Sequence, residues 1–114
     1  MNLKKVGNIS SENVTMYGSL GTTIQWLWSK EEAPHFALRR FVIKPGGEIG
    51  LHSHVEEHEI FILSGEGTVF NDSEEFHIQP EDTLFVPSGE PHGYRNMGES
   101  DLVFLCIIPN LKAT

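Results

Sequence analysis

Apolar and polar residues alternate along most of this chain with the two-residue period of a strand, and no stretch of ten or more residues keeps a helical period. Residues 1–20 are polar and glycine-bearing with isolated apolar positions, which predicts an arm carrying one short strand. Residues 21–29, GTTIQWLWS, mix β-branched and aromatic side chains that suit a pleated surface, and the polar cluster at 29–32 ends them. After Pro34, residues 35–44 form a second strand in which Arg39, Phe41 and Ile43 share one face and Leu38, Arg40 and Val42 the other. Pro45, Gly46 and Gly47 read as a turn. Residues 46–65 then read as two adjoining strands joined by the polar step Val55, Glu56, Glu57. Shorter strands at 68–70, 75–78, 83–86 and 101–108 alternate with turn signals at 64–67, 71–73, 79–82 and 87–93. Strands this short at this spacing predict an all-β sandwich or barrel.

The chemistry on this pattern is a cluster of histidines. His52 and His54 are two apart, so both side chains leave an extended strand on one face, and His58 opens the next apolar run. A strand, a short turn and a returning strand bring the three imidazoles to one point, as a metal site requires. His92 sits in a proline- and glycine-rich loop whose stiff backbone can aim a polar side chain inward. His35 and His77 fit no motif and read as ordinary strand histidines.

These residues carry a resemblance. Gly46, five residues, His52-Ser53-His54, three residues, position 58, six residues, Gly65 is similar to the first motif of the cupin superfamily. Pro87-Ser88-Gly89, two residues, His92, three residues, Asn96 resembles the second. The resemblance implies one cupin domain over residues 1–114, with an N-terminal arm at 1–20 and an antiparallel jelly-roll barrel at about 36–109. It also implies one divalent metal held by His52, His54, His58 and His92. Two positions depart from the superfamily pattern. His58 stands where a glutamate is usual, and Glu81 where a glycine opens the second motif. The first departure resembles the four-histidine subgroup of small single-domain cupins, for which manganese is the metal implied. Glu59 is the rival donor, one residue along. Alternation points it away from the His58 face, and only position 58 keeps the six-residue spacing to Gly65.

Four neutral imidazoles leave the full 2+ charge on the metal, a stronger Lewis acid than a set containing one carboxylate. An octahedral ion keeps two positions open for water, dioxygen or a bidentate oxygen ligand. Copper, nickel or zinc binds nitrogen donors more tightly than manganese or iron, so occupancy also depends on supply. Phe104 and Cys106 share a face with Leu102 and Ile108, and the resemblance turns that face into the barrel beside Phe41 and Ile49. Cys106, in an apolar run, reads as a small buried hydrophobe. Arg39 has two readings: the cation of the pocket, poised for a carboxylate, or a surface arginine paired with a glutamate. No residue is assigned a catalytic role.

Charge and composition narrow the function. Eight basic against sixteen acidic residues give a net charge of -8, a poor match to nucleic acid or an anionic membrane. A single cysteine excludes an internal disulfide, the longest apolar run (102–108) is far too short to span a bilayer, and no signal peptide is legible, so a cytoplasmic protein is expected. The leading expectation is a metal-dependent oxygenase of the dioxygenase type acting on a small organic substrate. The alternative is a non-catalytic, metal-stabilised barrel that captures a small ligand, such as a carboxylate on Arg39. A sugar isomerase or epimerase stands behind both, for want of a histidine and aspartate acid-base pair. Exposed sheet edges and a strand-bearing arm lead us to expect a homodimer.

Overall fold

One strand of 17 residues, β3 (Phe36–His52), forms the spine of the molecule. The structure, a computed structural model, describes residues 1–111. Ahead of β3 come β1 (Glu12–Asn13) and β2 (Leu20–Trp28), with single 3-10 turns at Val6–Asn8 and Met16–Gly18. After it come β4 (His58–Ser64), β5 (Gly67–Phe70), β6 (Glu75–Ile78), β7 (Thr83–Val86), β8 (His92–Arg95) and β9 (Leu102–Pro109). The first half of β3 lies between β2 and β9, while its second half pairs with β8. The order β6-β5-β8-β3-β9-β4-β7, antiparallel at every pairing and with β2 added along β3, curls into a jelly-roll half-barrel. No helix among the described residues is long and apolar enough to cross a membrane.

Pro45, Gly46 and Gly47, expected as a turn, lie inside β3 and bend it without reversing it. The ladder with β2 jumps from Thr22↔Ile43 to Leu20↔Glu48, so residues 44–47 bulge out of the pairing. Gly46 takes φ +81°, and a Cβ on Gly47 would stand 2.8 Å from the Leu20 carbonyl oxygen. The bend is clamped by the fully buried Asn96. Its backbone accepts from Gly46 N–H (2.9 Å) and donates to the Gly47 carbonyl (3.0 Å), and its side-chain Nδ2 donates to the Ile43 carbonyl (2.8 Å).

Alternation sets the core. Along β4, His58, Ile60 and Ile62 are buried while Glu59, Phe61 and Leu63 are exposed. Arg39, Phe41 and Ile43 on β3 and Leu102, Phe104 and Cys106 on β9 share the same interior, closed on the other side by Ile49, Val69 and Tyr94. Each fully buried Ile, Leu or Phe contributes about 1.5–3 kcal/mol, so a one-residue slip of any strand would exchange core for surface and is strongly disfavoured. The arm is fastened across the outside of β2: Gln25 Nε2 donates to the Val6 and Ile9 carbonyls at 3.1 and 2.9 Å, and Lys4 pairs with Glu32 at 2.6 Å. Its second part, residues 14–17, reaches the mouth of the barrel.

Candidate metal centre

Two strand starts, one strand end and one loop converge at that mouth. His52 ends β3 and His92 begins β8, and the two are direct cross-strand partners with ring centroids 4.3 Å apart. Between Ile49↔Tyr94 and His52↔His92 the ladder gains one residue on β3. Ile49 and His52 are three apart and would otherwise face opposite sides; the bulge turns both inward. His54 follows in the loop, and His58 starts β4 on its buried face, 4.5 Å from His54 between ring centroids.

Backbone carbonyls fix three of the rings. Nδ1 of His52 lies 2.7 Å from the Gly50 oxygen, that of His54 2.8 Å from the Glu56 oxygen, and that of His92 2.9 Å from the Glu90 oxygen. A carbonyl only accepts, so each Nδ1 carries the hydrogen and each Nε2 keeps an acceptor lone pair, that of His54 facing His58 Nε2 at 2.8 Å. Ligand atoms of these three residues all lie within 4.8 Å of one another. The Nε2 of His92 is buried with no protein partner, an acceptor whose geometry suits a cation. Three inward lone pairs, tautomers fixed from behind, are the donor set a divalent metal takes.

His58 is held differently. Its Nδ1 faces Cys106 Sγ at 2.9 Å and Arg39 Nη2 at 3.5 Å, and Arg39 Nη2 also donates to Cys106 Sγ at 3.0 Å. Arg39 can only donate, so the chain runs from the guanidinium to sulfur, from the thiol hydrogen to His58 Nδ1, and from His58 Nε2–H to His54 Nε2 at 2.8 Å. In this arrangement His58 is a donor towards His54, and coordination through its Nε2 requires that hydrogen to move to Nδ1, which would then donate to Cys106 Sγ. Glu59, the rival, is on the outer face of β4.

Burial favours the neutral form of His52, His58 and His92. Desolvation, and then the Arg39 charge, hold His58 down to about 2, and desolvation lowers His92 to about 4 against the raising effect of its bond to the Glu90 carbonyl. His52 is also lowered, first by burial. Burial raises the Cys106 thiol against the opposing Arg39 charge, so it stays protonated at neutral pH, and pushes the Tyr94 phenol far up. Neutral imidazoles are the form a metal binds.

Beside the histidines lies a chamber of about 110 Å³. Arg39, Phe41, Ile49, Phe104 and Cys106, the five pocket residues expected from the sequence, all line it. Of the two readings of Arg39, the structure favours the pocket. Its guanidinium lies 5.6 Å from the Trp26 ring centroid and 5.0 Å from that of Phe41, its Nε is buried without a partner, and among the described residues no carboxylate pairs with it. His35 and His77 are exposed and outside the cluster. Four lining residues escaped the sequence reading, Tyr94 and the arm residues Val14, Met16 and Tyr17. Tyr94 is two past His92 on the same strand face, a spacing that marks it once His92 is chosen. Tyr17 comes from the arm: it takes a left-handed φ of 60° and stacks its ring on His52 at 4.3 Å and 7°. Nothing periodic in residues 1–20 signals that contact.

The match to a family model decides the relationship: the cupin domain model covers residues 39–108, 61% of the 114-residue chain. The chain is a member of the cupin family. This cupin is 40% identical over 82 residues to the oxalate-binding protein of Thermotoga maritima, an alignment spanning 68% of each chain. Its fold is similar to that of the polyketide cyclase RemF from Streptomyces resistomycificus, with TM-score 0.89, 27% identity, and coverage of 100% of this cupin and 87% of that chain. It is also similar to a predicted oxalate decarboxylase from Thermotoga maritima, with TM-score 0.86, 32% identity, and coverage of 96% and 100%.

Proposed function

We propose that this cupin is a metal-dependent binding protein for a small oxyanion of the carboxylate class. In this reading His52, His54 and His92 would hold the metal through Nε2, and His58 would complete a four-histidine set on shifting its hydrogen from Nε2 to Nδ1. Manganese is the metal the four-histidine subgroup implies, with iron, nickel, copper or zinc as competitors under the affinity order. A bound divalent ion supplies a Lewis-acid centre with positions open to ligand oxygens. Arg39 supplies the charge that a carboxylate's remaining oxygens need, and Phe41, Ile49 and Phe104 exclude water from the contact.

The observation that carries this reading is the Arg39 guanidinium, which lines the chamber beside the imidazoles with its Nε unpartnered and, among the described residues, no carboxylate paired with it. Size supports it. A chamber of about 110 Å³ is well below the roughly 300–1,000 Å³ of drug-sized sites, and suits a ligand of a few heavy atoms. The name of the Thermotoga oxalate-binding relative agrees in class. Calorimetric titration of manganese-loaded protein with oxalate, malonate, acetate and phosphate tests it. We expect carboxylate binding that disappears on chelation and falls at least tenfold in Arg39→Met, as loss of a charged partner implies; no binding by any of the four anions refutes it. A dioxygenase-type oxygenase is the second reading, favoured by the apolar wall beside the histidines. Dioxygen uptake by manganese-, iron- or copper-loaded protein over small enols, diketones and phenols tests that reading, and no uptake with any metal removes it.

A further inference from the structure

Tyr94 sits at the centre of β8, opposite Ile49 on one side and Val69 on the other, and is 3% exposed. Its ring packs edge-on to His92, with centroids 5.9 Å apart, and against Phe104 at 5.1 Å. Packing of that kind explains a phenylalanine. It does not explain the hydroxyl, which is buried without a protein partner, on a residue that lines the same chamber as His52, His54 and His58. Buried tyrosine hydroxyls normally find an acceptor, because leaving one unpaired is costly. A second lining residue carries another such atom, Arg39 Nε, also buried and unpartnered.

The two sets of unpaired atoms are of opposite kind. The histidine side offers acceptor lone pairs, that of His92 Nε2 unpartnered, which call for a cation. Arg39 and Tyr94 offer N–H and O–H, which call for oxygen acceptors. An apolar ligand would leave both donors unpaired, and a ligand whose oxygens all turn to the metal would do the same. We propose that the Tyr94 hydroxyl and Arg39 Nε form a recognition pair that selects ligands with acceptor oxygens on the side away from the metal, dicarboxylates of the oxalate class over monocarboxylates. The inference rests on the carboxylate-binding reading and assigns Tyr94 the role of specificity-determining donor within it.

Tyr94→Phe removes the hydroxyl and keeps the ring. Wild type and variant are titrated with oxalate and with acetate, each manganese-loaded and each in the presence of chelator, alongside melting temperature and manganese affinity. The expected result is oxalate binding weakened about tenfold or more, as for loss of a hydrogen bond to a charged acceptor, with acetate binding, manganese affinity and melting temperature unchanged or raised. Oxalate binding within twofold of wild type overturns the pair. So does an equal loss for oxalate and acetate, which a merely structural role would give. If wild type binds oxalate equally well in chelator but Tyr94→Phe does not, the metal reading fails and the donor pair stands. If wild type binds neither anion under either condition, both fall.

Discussion

Two of the imidazoles in the centre are buried and neutral, His58 at 5% exposure and His92 at 2%, and this makes the metal-free protein acid-labile in a defined window. In the unfolded chain both titrate near 6.5; in the folded chain burial holds His58 to about 2 and His92 to about 4. As pH falls below 6.5 the unfolded state takes up the two protons first. The stability these groups confer is therefore complete above pH 6.5 and is lost progressively on the way down towards their folded values. At pH 4.5, two units below 6.5, the ideal loss is roughly 2.5 kcal/mol for each ring at 1.36 kcal/mol per unit. Solvent screening reduces this by about half, leaving about 2–3 kcal/mol in all. For a domain of this size that is a fall in Tm of about 10 °C.

Urea unfolding of chelated protein at pH 7.5, 6.0 and 4.5 measures the fall through ΔG from the linear extrapolation. The window ends at 4.5 for a reason: Glu32, held to about 2 by Lys4, adds its own pH dependence only below its ordinary value of 4.5. The double variant His58→Leu, His92→Leu removes both titrating groups, so its stability should fall distinctly less than that of wild type over the same range. A wild-type ΔG that is flat from 7.5 to 4.5, or a double variant that keeps the full wild-type fall, refutes the reasoning.

Four further outcomes are expected. Asn96→Ala removes two bonds donated by Nδ2, to Ile43 and Ser100, and one accepted by Oδ1 from Gly98 N–H; urea unfolding should show a loss of about 2–4 kcal/mol, and a loss below 1 kcal/mol would count against the clamp. Gly50→Ala puts a Cβ against the Tyr17 carbonyl oxygen, so the arm should lift from the mouth, with about 1–3 kcal/mol lost and faster proteolysis near residue 17; an unchanged digest contradicts this. Loading manganese at pH 7.5 should release little or no proton, because His58 frees its Nε2 by moving its one hydrogen to Nδ1 beside Cys106 Sγ, read from binding enthalpies in buffers of different ionisation heat; release of a full proton per chain would mean that a group ionises on binding and contradicts the tautomer shift. The exposed Phe61, Leu63 and Phe85 on the outer face of β4 and β7 favour the expected homodimer, so light scattering at micromolar concentration should give twice the chain mass and Phe85→Lys should lower it; a monomeric wild type removes the expectation.

What the sequence made legible is what alternation and short spacing encode. The choice of His58 over Glu59 as the inward residue needs only the two-residue period of β4, and the inward set Arg39, Phe41, Ile43 needs only that of β3. The turn signal at Pro45, Gly46 and Gly47 misled because the same residues permit a reversal or a bulge. Which one forms depends on whether the chain beyond them keeps pairing, here through Glu48↔Leu20 and Glu48↔Arg95. The pairing of His52 with His92 spans 40 positions and depends on register, which spacing does not carry. Arg39 was ambiguous for a similar reason: its face could be read, but whether a carboxylate waited there could not. Tyr17 had no signal, since its stack on His52 depends on a left-handed residue in an aperiodic arm.

The bend in β3 also explains why metal and ligand groups face each other at all. Arg39 and Phe41 stand on the half of β3 before the bulge, and Ile49 and His52 on the half after it. On a straight strand His52 would face away from Arg39, Phe41 and Ile49 and lie about 43 Å from Arg39, at about 3.3 Å per residue. Folded over at residues 44–47 and held there by Asn96, the same strand lines two walls of one chamber. The angle of the bend thus sets the distance between the nitrogen donors and the guanidinium, and with it the length of ligand that reaches both. Asn96 touches neither end, yet loosening its hold on Ile43, Gly46 and Gly47 should broaden ligand-length selectivity before it abolishes metal binding.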